Sequence, residues 1–102
     1  MTKTITKRDI INEVAKMANL SQQQTDKIVN QVFHTMVDFL IHANPSVRIE
    51  IRNFGVFEVK PTKAKPKARN PRTNEIIYVP AHRKTRFKPG KAIRDELRKP
   101  LK

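Results

Sequence analysis

The segment from Lys60 to Lys88 is strongly basic and nearly free of core-forming side chains, which limits the folds open to the whole chain. It carries ten Lys and Arg and a single acid, and its first fifteen residues contain no Ile, Leu, Val or Phe. Strand-like runs lie at 56–59 and 75–79, and turn-forming residues cluster at 70–74. The simplest fold is a two-stranded ribbon with its tip at 70–74, which we call the arm. A cationic ribbon too polar to fold alone is typical of a segment that binds a polyanion. A disordered basic linker is the alternative.

Positive charge is concentrated in the second half of the chain. The 102 residues have a formal net charge of +13. Residues 1–44 contain five basic and four acidic side chains, whereas residues 45–102 contain seventeen and five. A positive field confined to one part of a small protein favours nucleic acid as its partner.

Several classes of protein are disfavoured by what the sequence lacks. There is no Cys, so disulfides and Cys-ligated zinc are excluded. No apolar run reaches the ~18–20 residues of a membrane span, and residues 1–5 lack the apolar core of a signal peptide, so we expect a cytoplasmic protein. His34, His42 and His82 have no metal-ligand spacing. Without a glycine-rich phosphate loop or a nucleophile motif, we expect no enzyme, cofactor, metal or small-molecule substrate.

The first 44 residues predict two helices. Thr6 with Asp9 forms the pattern of a capping box, and Asn19 is a typical left-handed stop. Ser21 with Gln24 repeats the capping box and opens a longer helix. One stripe of the first helix carries Ile10, Ile11, Val14, Met17 and Ala18. The second helix is apolar on more than one face, so a second subunit is expected to cover it. It carries only one cation, Lys27, which argues against a recognition helix for the DNA major groove.

The second half predicts strands, the arm and a short helix. Residues 47–51 alternate apolar and charged side chains, as a half-buried strand does. A tight turn at 53–55 leads into the ribbon, whose return strand is broken at Pro80. A helix is expected over about 89–98, with Ala92, Ile93 and Leu97 as its buried side. The predicted order is α-α-β-β-β-α, an α+β fold with a three-stranded antiparallel sheet extended into the arm.

Cations and polar residues of the arm and its flank are the candidate nucleic-acid contacts. Near the last helix, Lys88, Lys91 and Arg94 are candidates for holding phosphates, although a solvated face explains them equally well. Pro71 is either a turn residue or a rigid apolar wedge at the tip. The full candidate set is Lys60, Lys63, Lys65, Lys67, Arg69, Asn70, Pro71, Arg72, Thr73, Arg83, Lys84, Arg86, Lys88 and Lys91.

Four motifs, in order and spacing, resemble the HU and integration host factor family of bacterial DNA-bending proteins. They are Asn-Phe-Gly-Val-Phe-Glu-Val at 53–59, Arg-Asn-Pro-Arg-Thr-Asn-Glu at 69–75, Val-Pro-Ala at 79–81 and Phe-Lys-Pro-Gly-Lys at 87–91. The resemblance covers about residues 4–98. Each motif alone is weak, but the combination is specific.

The resemblance implies one HU-like domain over residues 1–102, organised as an intertwined homodimer or heterodimer. Its parts are a helical dimerisation part at about 4–44, a sheet and arm at about 46–88 and a C-terminal helix at about 89–98. It implies that Pro71 intercalates between base pairs in the minor groove, a mechanism of which this family is itself an example. The implied dimer core comprises Phe33, Phe54, Phe57 and Phe87.

Asn53 and Asn74 stand where the family usually has Gly. Asn tolerates positive φ best among the other residues, so both turns are expected to survive.

The function indicated is an architectural protein of the nucleoid that binds, bends and compacts double-stranded DNA with little sequence preference. Three alternatives stay open. They are a site-specific bender of the integration host factor kind, an RNA-binding protein, and a polybasic module for anionic membranes. With Tyr78 as the only Tyr and no Trp, few aromatics are available to stack on unpaired bases. A membrane module has no need of a defined tip.

Overall fold

The computed structural model describes residues 2–101 and has the α+β fold that the sequence predicted. In these residues the elements follow the order α1 (Lys7–Ala18), α2 (Gln22–Ile41), β1 (Val47–Ile51), β2 (Gly55–Pro61), β3 (Lys65–Arg69), β4 (Ile76–Val79), β5 (Arg83–Pro89) and α3 (Lys91–Leu97). There are five strands instead of three because both strands of the arm are interrupted, one after Pro61 and the other at Pro80. Proline has no backbone N–H to continue a ladder. The chain divides into two compact units, one ending at Asp38 and the other beginning at Phe39.

In the first unit, α1 begins and ends at its predicted caps. Asp9 N–H donates to Thr6 Oγ1 at 3.4 Å, and Thr6 N–H donates to Asp9 Oδ2 at 2.9 Å. Asn19 closes the helix in the left-handed conformation, with φ at 54°. The predicted apolar stripe is only partly covered, since Ile11 is buried whereas Met17 is 86% exposed.

The α2 helix begins at the second predicted capping box and keeps much apolar surface exposed. Ser21 N–H donates to Gln24 Oε1 at 3.2 Å, and Gln24 N–H donates to Ser21 Oγ at 3.1 Å. Thr25 and Val29 are buried. Other apolar side chains of the helix stay exposed in the single chain, namely Ile28, Val32, Phe33, Val37, Phe39 and Ile41. As the sequence indicated, one chain does not cover this helix.

In the second unit, a three-stranded antiparallel sheet has the order β1–β2–β5. The register aligns Ile49 with Phe57 and Phe57 with Phe87, so apolar residues share one face. The turn between β1 and β2 holds Asn53 at φ 66°, which confirms that Asn serves there. Gly55 lets two strands approach closely, because a Cβ at this position would lie 2.5 Å from the Lys88 carbonyl oxygen.

The β3 and β4 strands form a separate two-stranded ladder, which we call the outer ribbon. Its register changes between Lys65, paired with Val79, and Ala68, paired with Ile77. Three residue steps on β3 therefore oppose two on β4, a bulge that contains Pro66. The outer ribbon and the tip at 70–74 confirm the predicted ribbon, and the basic segment is not a structureless linker.

The α3 helix is seven residues long and has no buried residue. The prediction that Ala92, Ile93 and Leu97 form a buried side is wrong for the single chain. Ala92 is exposed, Ile93 is half-buried and Leu97 is 76% exposed. The helix is only two turns long, and the described residues of the chain cover its apolar side only at Ile93.

Candidate nucleic-acid interface

The face of the three-stranded sheet opposite its phenylalanines is polar and mainly cationic. Strand alternation places Lys60, Lys84, Arg86 and Lys88 on it. Lys60 lies directly opposite Lys84 in the ladder. Like charges in such a pair repel each other, so this part of the sheet is stabilised when an anion binds between them.

Glu58 is a buried acid at the centre of this cationic face. Its side chain is 3% exposed, with Lys88 Nζ 2.9 Å from Oε1 and Lys60 Nζ 3.6 Å from Oε2. Lys88 is the main cause that lowers the pKa of Glu58, with further lowering by Lys60 and Arg48, while burial acts in the opposite direction. Glu58 therefore stays ionised and holds two of the candidate phosphate contacts in place.

A depression of about 350 Å³ lies beside Glu58 on the ribbon side of the sheet. Lys60, Lys84 and Arg86 contribute cations to its lining, and Thr62 and Thr85 also border it. Ammonium and guanidinium groups contact DNA phosphates. The depression therefore suits a phosphate of a nucleic-acid backbone.

The tip of the outer ribbon is ordered by hydrogen bonds of its own residues. Asn70 N–H donates to the Glu75 carbonyl at 2.8 Å, and Asn74 N–H donates to the Asn70 carbonyl at 2.7 Å. Asn70 Oδ1 accepts from Arg72 N–H at 2.9 Å. Pro71 lies within this closed loop and is exposed. The tip is therefore a defined turn that presents a proline ring to solvent.

Asn74 takes part in the tip in a way that the sequence did not reveal. It adopts φ 63°, so Asn serves at this second position as well. Its Oδ1 accepts a hydrogen bond from Arg69 Nη1 at 3.0 Å. This bond holds the Arg69 guanidinium against Asn74, and the two residues meet only because the turn between them is closed.

A contact between Thr62 and His82 links the three-stranded sheet to the outer ribbon, and we call it the joint. Thr62 N–H donates to the His82 carbonyl at 2.7 Å. His82 N–H donates to Thr62 Oγ1 at 3.1 Å, and this oxygen also lies 3.1 Å from His82 Nδ1. The sequence gave His82 no role, because its partner lies 20 residues away.

Arg83 differs from the other candidate contacts because its guanidinium donates to two backbone carbonyls. Arg83 Nη1 donates to the carbonyls of Ile41, at 3.0 Å, and Ala43, at 2.6 Å. Among the remaining cations, Lys60 and Lys88 contact the Glu58 carboxylate and Arg69 contacts Asn74 Oδ1. These cations extend along the outer ribbon and the sheet. The exposed members are Lys60, Lys63, Lys65, Lys67, Arg69, Arg72, Lys84, Arg86, Lys88 and Lys91, together with Pro71 and Thr73, while Asn70 is half-buried.

Three of the four predicted dimer-core phenylalanines form a cluster on the apolar face. The ring centroids of Phe57 and Phe87 lie 4.7 Å apart, and those of Phe54 and Phe87 lie 5.5 Å apart. Such spacings are typical of interacting aromatic rings. Phe54 is still 44% exposed and Phe87 39% exposed, and Phe33 on α2 is 38% exposed. The cluster is thus incompletely covered by its own chain.

Two other kinds of site are not found in residues 2–101. None of the helices described there is both long and apolar enough to cross a membrane. No group of three or more His, Cys, Asp or Glu side chains in the same part of the chain is arranged to hold a metal ion.

Comparison with known proteins identifies the family. The family model for bacterial DNA-binding protein matches residues 5–98. DNA-binding protein HU 1 of Bacillus subtilis is 42% identical over 89 residues, which cover 87% of this chain and 92% of that protein. DNA-binding protein HU of Thermus thermophilus is 35% identical over 97 residues, covering 95% of this chain and 96% of the relative. An Anabaena HU–DNA cocrystal structure matches with a TM-score of 0.78 and 28% identity, covering 94% of this chain and 100% of the other. The chain therefore belongs to the bacterial DNA-binding protein family that its sequence motifs indicated.

Proposed function

We propose that this chain is an architectural protein that binds double-stranded DNA as a dimer, bends and compacts it, and shows little sequence preference. The observation that carries the proposal is the ordered tip, where exposed Pro71 has Arg69 and Arg72 close in sequence. A rigid apolar ring flanked by cations suits insertion into a base step from the minor groove. The relatives are named DNA-binding proteins, and a similar solved structure is a cocrystal with DNA.

Phosphate contacts supply most of the binding free energy in this proposal. Lys60 and Lys84 face each other beside the depression next to Glu58, where a phosphate relieves their repulsion. The cations of the outer ribbon extend the contact along the DNA backbone. Such contacts position the protein on the duplex without reading its sequence. Low sequence preference is part of the proposal because phosphate contacts carry no direct sequence information.

The dimer in this proposal rests on the apolar surface that one chain leaves exposed. The phenylalanine cluster and the apolar side chains of α2 are each partly open to solvent. A protein of this size gains much of its stability by covering such surface with a second subunit. Either a second copy of this chain or a similar chain is suitable.

The proposed role requires no catalytic step and no cofactor. DNA bending is driven by contact free energy and by the insertion of an apolar ring. We place the protein in the bacterial cytoplasm on the nucleoid, where chromosomal DNA is its partner.

The test separates bending from binding with the variant Pro71→Ala. The variant keeps every positive charge but loses the rigid ring, so affinity for plain duplex is expected to stay within about threefold of the wild type. Ligase-mediated cyclisation of short DNA is expected to fall, and so is the preference for nicked over intact duplex, because pre-bent DNA costs less to deform. Pro66→Ala is the matched control, since Pro66 lies in the bulge of β3 and away from the tip.

Wild-type cyclisation and wild-type nick preference in a folded, DNA-bound Pro71→Ala protein contradict the wedge mechanism. Affinity should also be measured on duplexes of random sequence and on single-stranded and double-stranded RNA at one salt concentration. An affinity for one DNA site more than about 10³ times that for random duplex indicates a site-specific bender instead. Tighter binding to RNA than to duplex DNA refutes the proposed partner.

A further inference from the structure

The C-terminal end of α2 lacks a cationic side chain of its own. No basic residue lies in the last turn, which ends at Ile41. The last carbonyls of a helix have no partner within it and carry partial negative charge, so they favour a nearby cation. Arg83 meets this need from 42 residues further along the chain, through Nη1 at 3.0 Å from the Ile41 carbonyl oxygen.

The second carbonyl that Arg83 binds is that of a buried residue. Ala43 is 6% exposed, and its carbonyl oxygen lies 2.6 Å from Arg83 Nη1. If the guanidinium moved away to a phosphate, a part-buried acceptor would lose its partner, which is unfavourable. Arg83 is thus committed to this contact in a way that the neighbouring cations are not.

Arg83 also occupies a special position in the ribbon. It is the first residue of β5 and pairs with Pro61, the last pair in the ladder of the three-stranded sheet. The next pair outward is the joint of Thr62 and His82. The guanidinium therefore connects the end of α2 to the point from which the outer ribbon extends.

We propose that Arg83 is a positioning residue for the arm and does not contact DNA phosphates. By holding the carbonyls of Ile41, the last residue of α2, and of Ala43 just beyond it, Arg83 fixes the start of β5. Through the adjacent joint it then fixes the direction of the outer ribbon. The inference rests on the proposed function only for the claim that the positioned tip bends DNA. The claim that Arg83 fixes the start of β5 and the joint concerns the free protein and can be tested without any nucleic acid.

The first test is hydrogen exchange of the free protein with the variants Arg83→Ala, Arg83→Lys and Lys84→Ala. Arg83→Ala is expected to speed exchange at the Thr62 amide by about tenfold or more, because hydrogen bonds from a charged donor are lost. Arg83→Lys is expected to restore part of the protection, since an ammonium can still bind one carbonyl. Lys84→Ala is the matched control, because Lys84 is adjacent and exposed but points to the opposite face.

The second test compares the same variants on DNA. Loss of a phosphate contact lowers the slope of log affinity against log salt by about 0.9 for each contact. We expect Lys84→Ala to lower this slope and Arg83→Ala to leave it unchanged, while cyclisation per bound complex falls in Arg83→Ala.

Two outcomes overturn the inference. One is a lower salt slope in Arg83→Ala with unchanged exchange at Thr62, which makes Arg83 a phosphate contact. The other is an equal rise in exchange across the whole sheet with normal cyclisation per bound complex, which makes Arg83 a general stabilising residue. If neither the variants nor the wild-type protein binds DNA, the proposed function fails. Faster exchange confined to Thr62 in Arg83→Ala still supports the positioning role of Arg83.

Discussion

Replacing Phe87 by Ala should lower the free energy of unfolding by a smaller amount in an isolated chain than in the proposed dimer. The Phe87 ring contacts those of Phe57 and Phe54, with centroids 4.7 and 5.5 Å away, and is 39% exposed in the single chain. Truncating a fully buried Phe to Ala costs about 3–5 kcal/mol. In an isolated chain the ring is roughly three-fifths buried, so Phe87→Ala should cost about 2–3 kcal/mol. A partner that covers the rest of the ring brings the cost to the full range.

The assay is urea denaturation followed by far-ultraviolet circular dichroism at two protein concentrations that differ by about a hundredfold. For a dimer that unfolds to monomers, this dilution lowers the free energy of unfolding by about 2.7 kcal/mol. With a urea dependence of ~1–3 kcal/mol per molar, the midpoint moves by about 1 M or more. Tyr78→Ala is the control for loss of an aromatic ring. Tyr78 lies on β4 and is 63% exposed, so its removal should cost under about 0.5 kcal/mol.

Two results contradict this reasoning separately. If Phe87→Ala costs no more than Tyr78→Ala, the phenylalanine cluster is not a core, whatever the oligomeric state. If the midpoint does not move with dilution while Phe87→Ala still costs about 2–3 kcal/mol, the chain is stable alone and the proposed dimer is wrong.

Two further predictions concern charge. If roughly 6–10 phosphates are contacted, affinity for duplex DNA should fall by about 10³–10⁵ between 50 and 200 mM salt. Replacing both Lys88 and Lys91 by Ala should make the affinity depend less steeply on salt without altering base preference. Lys16→Ala in α1 should leave the salt dependence unchanged. An unchanged slope in the double variant means that neither lysine contacts DNA. The lowered pKa of Glu58 means that its ionised form stabilises the fold above its ordinary value of 4.5, and that this stabilisation is lost as the pH falls below that value. In acid denaturation, the Glu58→Gln variant should therefore lose less stability than the wild type as the pH falls below about 4.5. If the stability of both proteins depends on pH in the same way, the ion pairs of Glu58 with Lys60 and Lys88 do not contribute to stability.

The local features of the fold were predictable because their causes lie close together in sequence. Thr6 and Asp9 are three residues apart, and so are Ser21 and Gln24, so each capping box is visible in the sequence. Alternation over 47–51 likewise predicts which side chains point to the apolar face of the sheet. The break at Pro80 follows from the missing N–H of proline.

The interactions that organise the site depend on register and on distant pairing, which the sequence does not display. Glu58 looks like an outward-facing strand residue, and only the ladder shows that cations surround and bury it. Arg83 looks like one more cation of the basic segment, because its partner carbonyls are backbone atoms 40 and 42 residues away. The half-exposed phenylalanine rings were predicted as a dimer core, which remains a prediction because only one chain is described.

The joint between the sheet and the outer ribbon is the point about which a small rotation would move the tip furthest. Pro71 lies nine residue steps beyond Thr62, which at ~3.3 Å per step correspond to a distance of about 30 Å. A rotation of about a tenth of a radian at the joint then moves the proline ring by about 3 Å, close to the 3.4 Å rise between successive base pairs. If Pro71 inserts into DNA as proposed, the rotational freedom of the joint decides which base steps the ring can reach. A rigid joint would then limit the ring to one base step for a given set of phosphate contacts, whereas a flexible joint would let it reach the step that opens most easily.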